Sequence, residues 1–168
     1  MRSRGVNMKR VYVETSVVSY LAAKPSRDLL AAAWQEITTT WWDHRRHGFD
    51  LYTSELAVEE ASRGDDEAAQ RRLEYFRPLP LLEVTDSSLA LAQRLADRGA
   101  IPANAIDDAL HVAIAAVHRM DYLLTWNCRH INNAEMIPSI RAVVLSEGYS
   151  LPEICTPQGL MGEEANEG

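Results

Sequence analysis

The sequence predicts an α/β protein organised around a central parallel sheet flanked by helices, and three observations carry that prediction. Short β-branched or aromatic runs alternate with helical segments along the chain, the order that βαβ units produce. Segment 107–118 bears apolar residues on almost every side, as a buried helix does, and feeds the short apolar run 122–125. Finally, 168 residues with 46% hydrophobic content suffice for one sizeable core, and no repeat, low-complexity tract or linker divides the chain. The expectation is one domain over 1–168, its core running from about 10 to 157, with a loose leader over 1–9 and a short polar tail.

Each element has a local reason. Arg10–Val13 is the first strand, and Thr15 or Ser16 is placed to cap a short helix over 17–22. Ser26 is expected to cap a long helix over 27–47, with Leu29, Leu30, Ala33, Ile37 and Trp41 on its buried face and Thr38-Thr39-Thr40 weakening it locally. Gly48 ends that helix, 49–53 is the second strand, and Ser54 caps a third helix over 55–63 closed by Gly64. Asp65-Asp66-Glu67 opens a fourth helix, since acids suit the positive end of the helix dipole, and Pro78 stops it. A third strand over 81–84 precedes a helix capped by Asp86 and ended by Gly99. In segment 107–118, Ile106, Leu110, Ala113, Ile114 and Val117 form the core stripe. After strand 122–125, a last helix over 132–145 is expected to be kinked by Pro138, and a final strand lies near 153–156.

Composition excludes several classes. A formal net charge of −7 argues against a basic protein that coats nucleic acid, without excluding an enzyme that holds nucleic acid through a metal ion or a partner. No apolar run approaches the length of a membrane span, and the basic start Met1-Arg2-Ser3-Arg4 is not followed by a signal-peptide core, so a cytoplasmic location is expected. Cys128 and Cys155 show neither metal-type spacing nor a disulfide framework, and Cys128 reads as a small buried residue.

The polar residues that carry chemistry fall at corresponding places. Glu14 ends the first strand, Glu60 lies on the helix after the second, Asp108 opens the central helix beside Asp107, and Asn127 follows the fourth strand. If the first and fourth strands are neighbours, all converge on one edge of the sheet, where open parallel sheets bind ligands. Clustered carboxylates repel, and a divalent cation relieves that repulsion; an oxygen-rich set suits Mg²⁺ or Mn²⁺. Singly, each has an ordinary reading: helix-terminus acids for Glu14, Asp107 and Asp108, a solvated face for Glu55, Glu59 and Glu60, a turn residue for Asn127. His111 and His118 are possible ligands or bases, but read rather as a hydrogen-bonded core histidine and a surface histidine, respectively. Trp34, Trp41 and Trp42 could stack on nucleic-acid bases, but read rather as core or dimer surface, or as a wall for a partner helix. Arg45-Arg46 and Arg71-Arg72 are candidate phosphate contacts on otherwise solvated faces.

Set side by side, the motifs resemble a known family. Val11-Tyr12-Val13-Glu14-Thr15-Ser16 resembles the opening strand of PIN-domain ribonucleases, Glu60 followed by Gly64 resembles their second motif, Asp108-Ala109-Leu110-His111-Val112-Ala113 their third, and Leu123-Leu124-Thr125-Trp126-Asn127 their fourth. The likeness runs from Val11 to Thr156 and is nearest to the toxins of VapBC-type toxin–antitoxin pairs. It departs from the usual pattern in Glu14, where Asp is common, and in Asn127, where a fourth acid is common; a subgroup with Glu in the first motif and Thr-Trp-Asn-Cys in the fourth shares both features. The resemblance implies a PIN-like three-layer fold and a Mg²⁺- or Mn²⁺-dependent endoribonuclease, often a homodimer, that acts on RNA as a toxin and is inhibited by a cognate antitoxin. It implies Glu14, Glu60 and Asp108 as metal ligands, Asn127 as a catalytic residue orienting a water or ligand, and Thr15 as support, with Asp107 matching no standard position. The alternative is a catalytically weak PIN-like module that binds RNA or protein; a metal-dependent phosphatase or DNA nuclease built on the same acids is a further rival.

Overall fold

A computed structural model describes residues 7–163; positions 1–6 of the expected leader and 164–168 of the expected tail lie outside the described residues. The strands are β1 (Arg10–Val13), β2 (Asp50–Ser54), β3 (Leu81–Leu82), β4 (Tyr122–Leu124) and β5 (Glu153–Cys155). The helices are α1 (Thr15–Ala22), α2 (Leu29–His44), α3 (Glu55–Ala61), α4 (Asp66–Phe76), α5 (Asp86–Asp97), α6 (Ile106–Val117) and α7 (Ile137–Ser146). The strands form one sheet in the order β3-β2-β1-β4-β5, and every pair is parallel. Strands one and four are therefore neighbours, with Val13 opposite Leu124.

Alternation along β1 builds the two cores. Tyr12 joins α5, α6 and α7 through Leu91, Leu95, Val112, Ile114 and Val144. Val11 and Val13 face the other way and pack with Val17, Val18, Trp41, Trp42 and Phe76 from α1, α2 and α4. The result is the expected three-layer α/β arrangement.

Several local expectations shift by one or two residues, each through capping. Glu14, still extended at φ −82° and ψ 160°, caps α1 by accepting from the Ser16 amide, while Thr15 is already helical. Asp28 rather than Ser26 caps α2, accepting from Ala31 N at 2.9 Å, and Thr85 rather than Asp86 caps α5, accepting from Ser88 N at 3.1 Å. Asp86 sits one residue inside, where it faces the positive end of the helix. Thr85→Ala should therefore cost about 1 kcal/mol, and Asp86→Ala only ~0.3–1 kcal/mol through the dipole. Urea unfolding of the two variants checks this; an equal or reversed order would place the cap at Asp86.

What packs over α2 also shifts its buried stripe toward the C-terminal half. Leu29 is 88% exposed and Leu30 59%, while Thr38, Trp41 and Trp42 are buried. Trp41, fully buried, cannot wall a groove for a partner, whereas Trp42 keeps an edge on a cavity it lines with Arg46, Phe49 and Tyr75. The threonine run does not break the helix, because Thr38 Oγ1 donates to Trp34 O at 2.5 Å and accepts from Trp126 Nε1 at 2.8 Å. In α6 the buried residues are Ala109 and the run from His111 to Ala116, whereas Ile106 is 40% exposed. Pro138 produces no kink: it lies in the first turn of α7, where its missing N–H has no helical acceptor to lose. Packing continues past residue 157, since Leu160 is buried in the second core and its carbonyl accepts from Trp41 Nε1 at 3.2 Å.

Candidate metal centre

In a sheet of order 3-2-1-4-5, the chain leaves β1 toward β2 on one side and returns to β4 on the other, so the crevice beyond the carboxyl ends of β1 and β4 is the topological switch point. Glu14 stands there, its amide bonded to Leu124 O at 3.1 Å. The segment Thr125-Trp126-Asn127 leaves β4 beside it, α3 carries Glu60 over from the end of β2, and the first turns of α6 supply Asp108 and His111.

Glu14 is a buried carboxylate, 5% exposed, and one of its oxygens collects all the protein donors. Oε1 accepts from Ser16 N at 3.1 Å, from Thr125 Oγ1 at 2.7 Å and from the Ser16 hydroxyl. Ser16 Oγ accepts in turn from Trp126 N at 2.8 Å. Glu60 repeats the pattern: Oε1 accepts from Thr15 Oγ1 at 2.7 Å and from His111 Nε2 at 2.5 Å. Thr15 thus links the first and second motifs. In both residues Oε2 has no protein donor among the described residues.

Asp108 and Asn127 form a second group. Asp108 Oδ1 accepts from Asn127 Nδ2 at 3.0 Å, and Oδ2 lies 2.9 Å from His130 Nδ1. Asn127 Oδ1 closes the ring by accepting from His130 N at 3.0 Å, and Asn127 N donates to Thr125 Oγ1 at 2.9 Å. An Asn at 127 can donate to Asp108, whereas an aspartate there would repel it. Ligand atoms of Glu14, Glu60 and His111 lie within 4.8 Å of one another, a set that does not include Asp108. Asp107 is exposed. His130, Ser16 and Thr125 are participants that the sequence did not single out, and His111, a possible ligand or base in the sequence, joins them as a buried, hydrogen-bonded histidine. Helical spacing holds a signal for one of them, since Asp108 and His111 at i and i+3 share a face.

The remaining candidates have structural duties. Arg71 Nε donates to Ala22 O at 3.1 Å, Arg72 to Ala61 O and Arg63 O, and Arg46 to Trp42 O, so these guanidinium groups satisfy backbone carbonyls near helix ends. Arg45 lies over the ring of Phe49. Cys128 is exposed, not buried, in the loop after β4.

No family model matches the chain, and no curated protein matches it. Among solved structures it is similar to a chain of the crystal structure of VapBC2 from Rickettsia felis bound to a DNA fragment from their promoter. The identity is 13%, the coverage is 88% of this chain and 98% of that one, and the TM-score is 0.55. The fold is PIN-like.

The donors fit a hard divalent ion. Two carboxylates converge, each keeps one oxygen free of protein donors, and no Lys or Arg forms an ion pair with Glu14, Glu60 or Asp108 among the described residues. Burial opposes charge on both Glu60 and His111. Burial is the largest single effect on each, but it is outweighed by the rest together: the His111 bond and charge, the Thr15 bond and the Arg63 charge hold the Glu60 carboxyl below its ordinary 4.5, and the Glu60 bond with the charges of Glu14, Glu60 and Asp108 holds the His111 imidazole above its ordinary 6.5. The Glu60 contribution to stability is fully present above 4.5 and lost as pH falls through its lowered folded value. The His111 contribution is fully present below 6.5 and lost as pH rises through its raised folded value. The wild-type advantage over Glu60→Gln in urea should therefore shrink as pH rises from the ordinary 6.5 of histidine through the raised folded value of His111. A gap that stays constant across that range would mean that the pair does not couple to folding.

Proposed function

We propose that this chain is a Mg²⁺- or Mn²⁺-dependent endoribonuclease, the toxin of a type II toxin–antitoxin pair. The convergence of Glu14 and Glu60 at the switch point of the PIN-like sheet, with Asp108 and Asn127 alongside, is the observation that carries this reading. The structural likeness to VapBC2 supports it. Glu14, Glu60 and Asp108 hold the ion directly or through water. When bound, the ion supplies Lewis acidity toward a phosphoryl oxygen and eases deprotonation of water at neutral pH. Asn127 keeps Asp108 in place and orients a ligand by hydrogen bonding, Thr15 steadies Glu60, and Asp107 lends charge at the mouth. The partners are an RNA substrate, a second copy of the chain and a small antitoxin that inserts an Arg or Lys near Glu14, Glu60 and Asp108; the Arg fork suits paired carboxylates. No described helix is long and apolar enough to cross a membrane, in keeping with cytoplasmic action.

A second reading, a catalytically weak module that binds RNA or protein, draws on Glu14, which stands where Asp is usual, and on Asn127, which removes one acid from the usual set. Cleavage assays on matched RNA and DNA, with Mg²⁺, with Mn²⁺ and with chelator, separate the two. Ion-dependent cutting of RNA alone supports the nuclease. Binding without cutting supports the module, and cutting of DNA points to a different nuclease. Co-purification with the product of a neighbouring gene, followed by the same assay, tests the toxin assignment; a partner that binds without inhibiting removes it and leaves the nuclease standing.

A further inference from the structure

His111 has two candidate roles at this centre, because its Nε2 lies among the carboxylate oxygens that would face an ion. Proton positions decide between them. Tyr12, Ser54 and His111 are each fully buried, so their polar atoms must pair with one another, with Glu60 or with the backbone around them. Ser54 Oγ accepts from Ala57 N at 3.1 Å as the cap of α3 and lies 2.6 Å from Tyr12 Oη. Tyr12 Oη lies 2.6 Å from His111 Nδ1, and His111 Nε2 lies 2.5 Å from Glu60 Oε1.

If the ring is neutral with its proton on Nε2, Ser54 donates to Tyr12, Tyr12 donates to Nδ1, and Nε2–H donates to Glu60. If the ring is a cation, Nδ1–H donates to Tyr12, Tyr12 donates to Ser54, and Nε2–H again donates to Glu60. With Glu60 ionised, as a carboxylate that binds a metal ion is, the remaining form, neutral with its proton on Nδ1, would set the Nε2 lone pair against a carboxylate oxygen at hydrogen-bond distance, where the two repel. Both favourable forms place a proton on Nε2, and a protonated nitrogen cannot ligate a metal.

We infer that His111 is not a ligand but a positioning residue: held from behind by Tyr12 and Ser54, it pins Glu60 Oε1 and leaves Oε2 free for the ion. This rests on the metal-dependent reading above. Thr15 makes the second pin on the same oxygen. Donors behind ligating carboxylates and imidazoles set their orientation, and losing one typically costs about 10–100-fold in metal affinity.

The test uses the full chain and Mn²⁺ alone. Titration followed by the electron paramagnetic resonance of free Mn²⁺ should show His111→Ala binding about 10–100-fold more weakly than wild type. His111→Gln, whose amide can still donate to Glu60, should recover part of the loss. Unchanged affinity in His111→Ala would overturn the inference. Pulsed spectroscopy of Mn²⁺ bound to the wild type needs no substitution in the core, and should show no directly coordinated nitrogen, or one that disappears in His130→Gln. A coordinated-nitrogen signal that persists in His130→Gln would make His111 a ligand and overturn the inference while the metal-dependent reading stands. Failure of the wild type to bind Mn²⁺ at all would overturn both.

Discussion

Glu14→Gln should reduce ion-dependent RNA cleavage by about 100-fold or more, beyond the ~10–100-fold typical of losing a residue behind a metal ligand. The fold should survive. The amide oxygen of Gln can still accept from Ser16 N, the Ser16 hydroxyl and Thr125 Oγ1, so the cap of α1 persists and the stability change stays under about 1 kcal/mol. Glu14→Asp keeps the charge but withdraws it by one carbon from three donors placed for the longer side chain. Activity should fall there too, by less than in Glu14→Gln. Initial rates under saturating Mg²⁺, with urea midpoints measured in parallel, check both variants. Full activity in Glu14→Gln would show that this carboxylate takes no part in the chemistry.

Asp108→Asn should abolish measurable cleavage, again by about 100-fold or more, for two reasons that add. It removes negative charge beside the centre, and it perturbs the ring with Asn127 and His130. An amide at 108 can still accept from Asn127 Nδ2, but it turns an N–H toward His130 Nδ1, which keeps the contact only by moving its proton to Nε2. Because both members of the His130–Asp108 pair retain about a fifth of their side-chain exposure, at 21% and 24%, the stability loss is modest, about 1 kcal/mol. Asp107→Asn, at an exposed position, should shift stability by under about 0.5 kcal/mol. Rates and urea midpoints of the two neighbours, measured side by side, decide the matter. Wild-type rates in Asp108→Asn would take Asp108 out of the site.

Two consequences of the geometry bear on how such a centre tolerates its unusual residues. Glu14 does what a shorter acid at this position could not do without moving: it spans from the end of β1 to Thr125 while capping α1. Asn127 exchanges a charge for a donor, and the donor holds Asp108. The departures from the common motif are therefore each matched by a partner, Thr125 and Ser16 in one case, Asp108 and His130 in the other.

Element types and their order follow from local chemistry, and the sequence alone determined them. Period-two and helical apolar patterns, Gly and Pro punctuation and capping residues act within a few positions, so the strands, the helices and the parallel sheet were legible. The convergence of Glu14, Glu60, Asp108 and Asn127 was legible only on the condition that the first and fourth strands are neighbours, a pairing that the sheet itself supplies. Shifts of a residue or two arose where adjacent residues compete for one cap, as with Thr85 and Asp86, or where burial depends on what packs overhead, as with Leu29 and Trp42. Tertiary structure alone decided which side chains meet. Thr125 reaches Glu14, His111 reaches Glu60 and Tyr12 reaches His111 across separations of 111, 51 and 99 residues. The reason is physical. A buried hydroxyl or imidazole must find a partner wherever the packed sheet places one, and no local pattern in the chain records which partner that is.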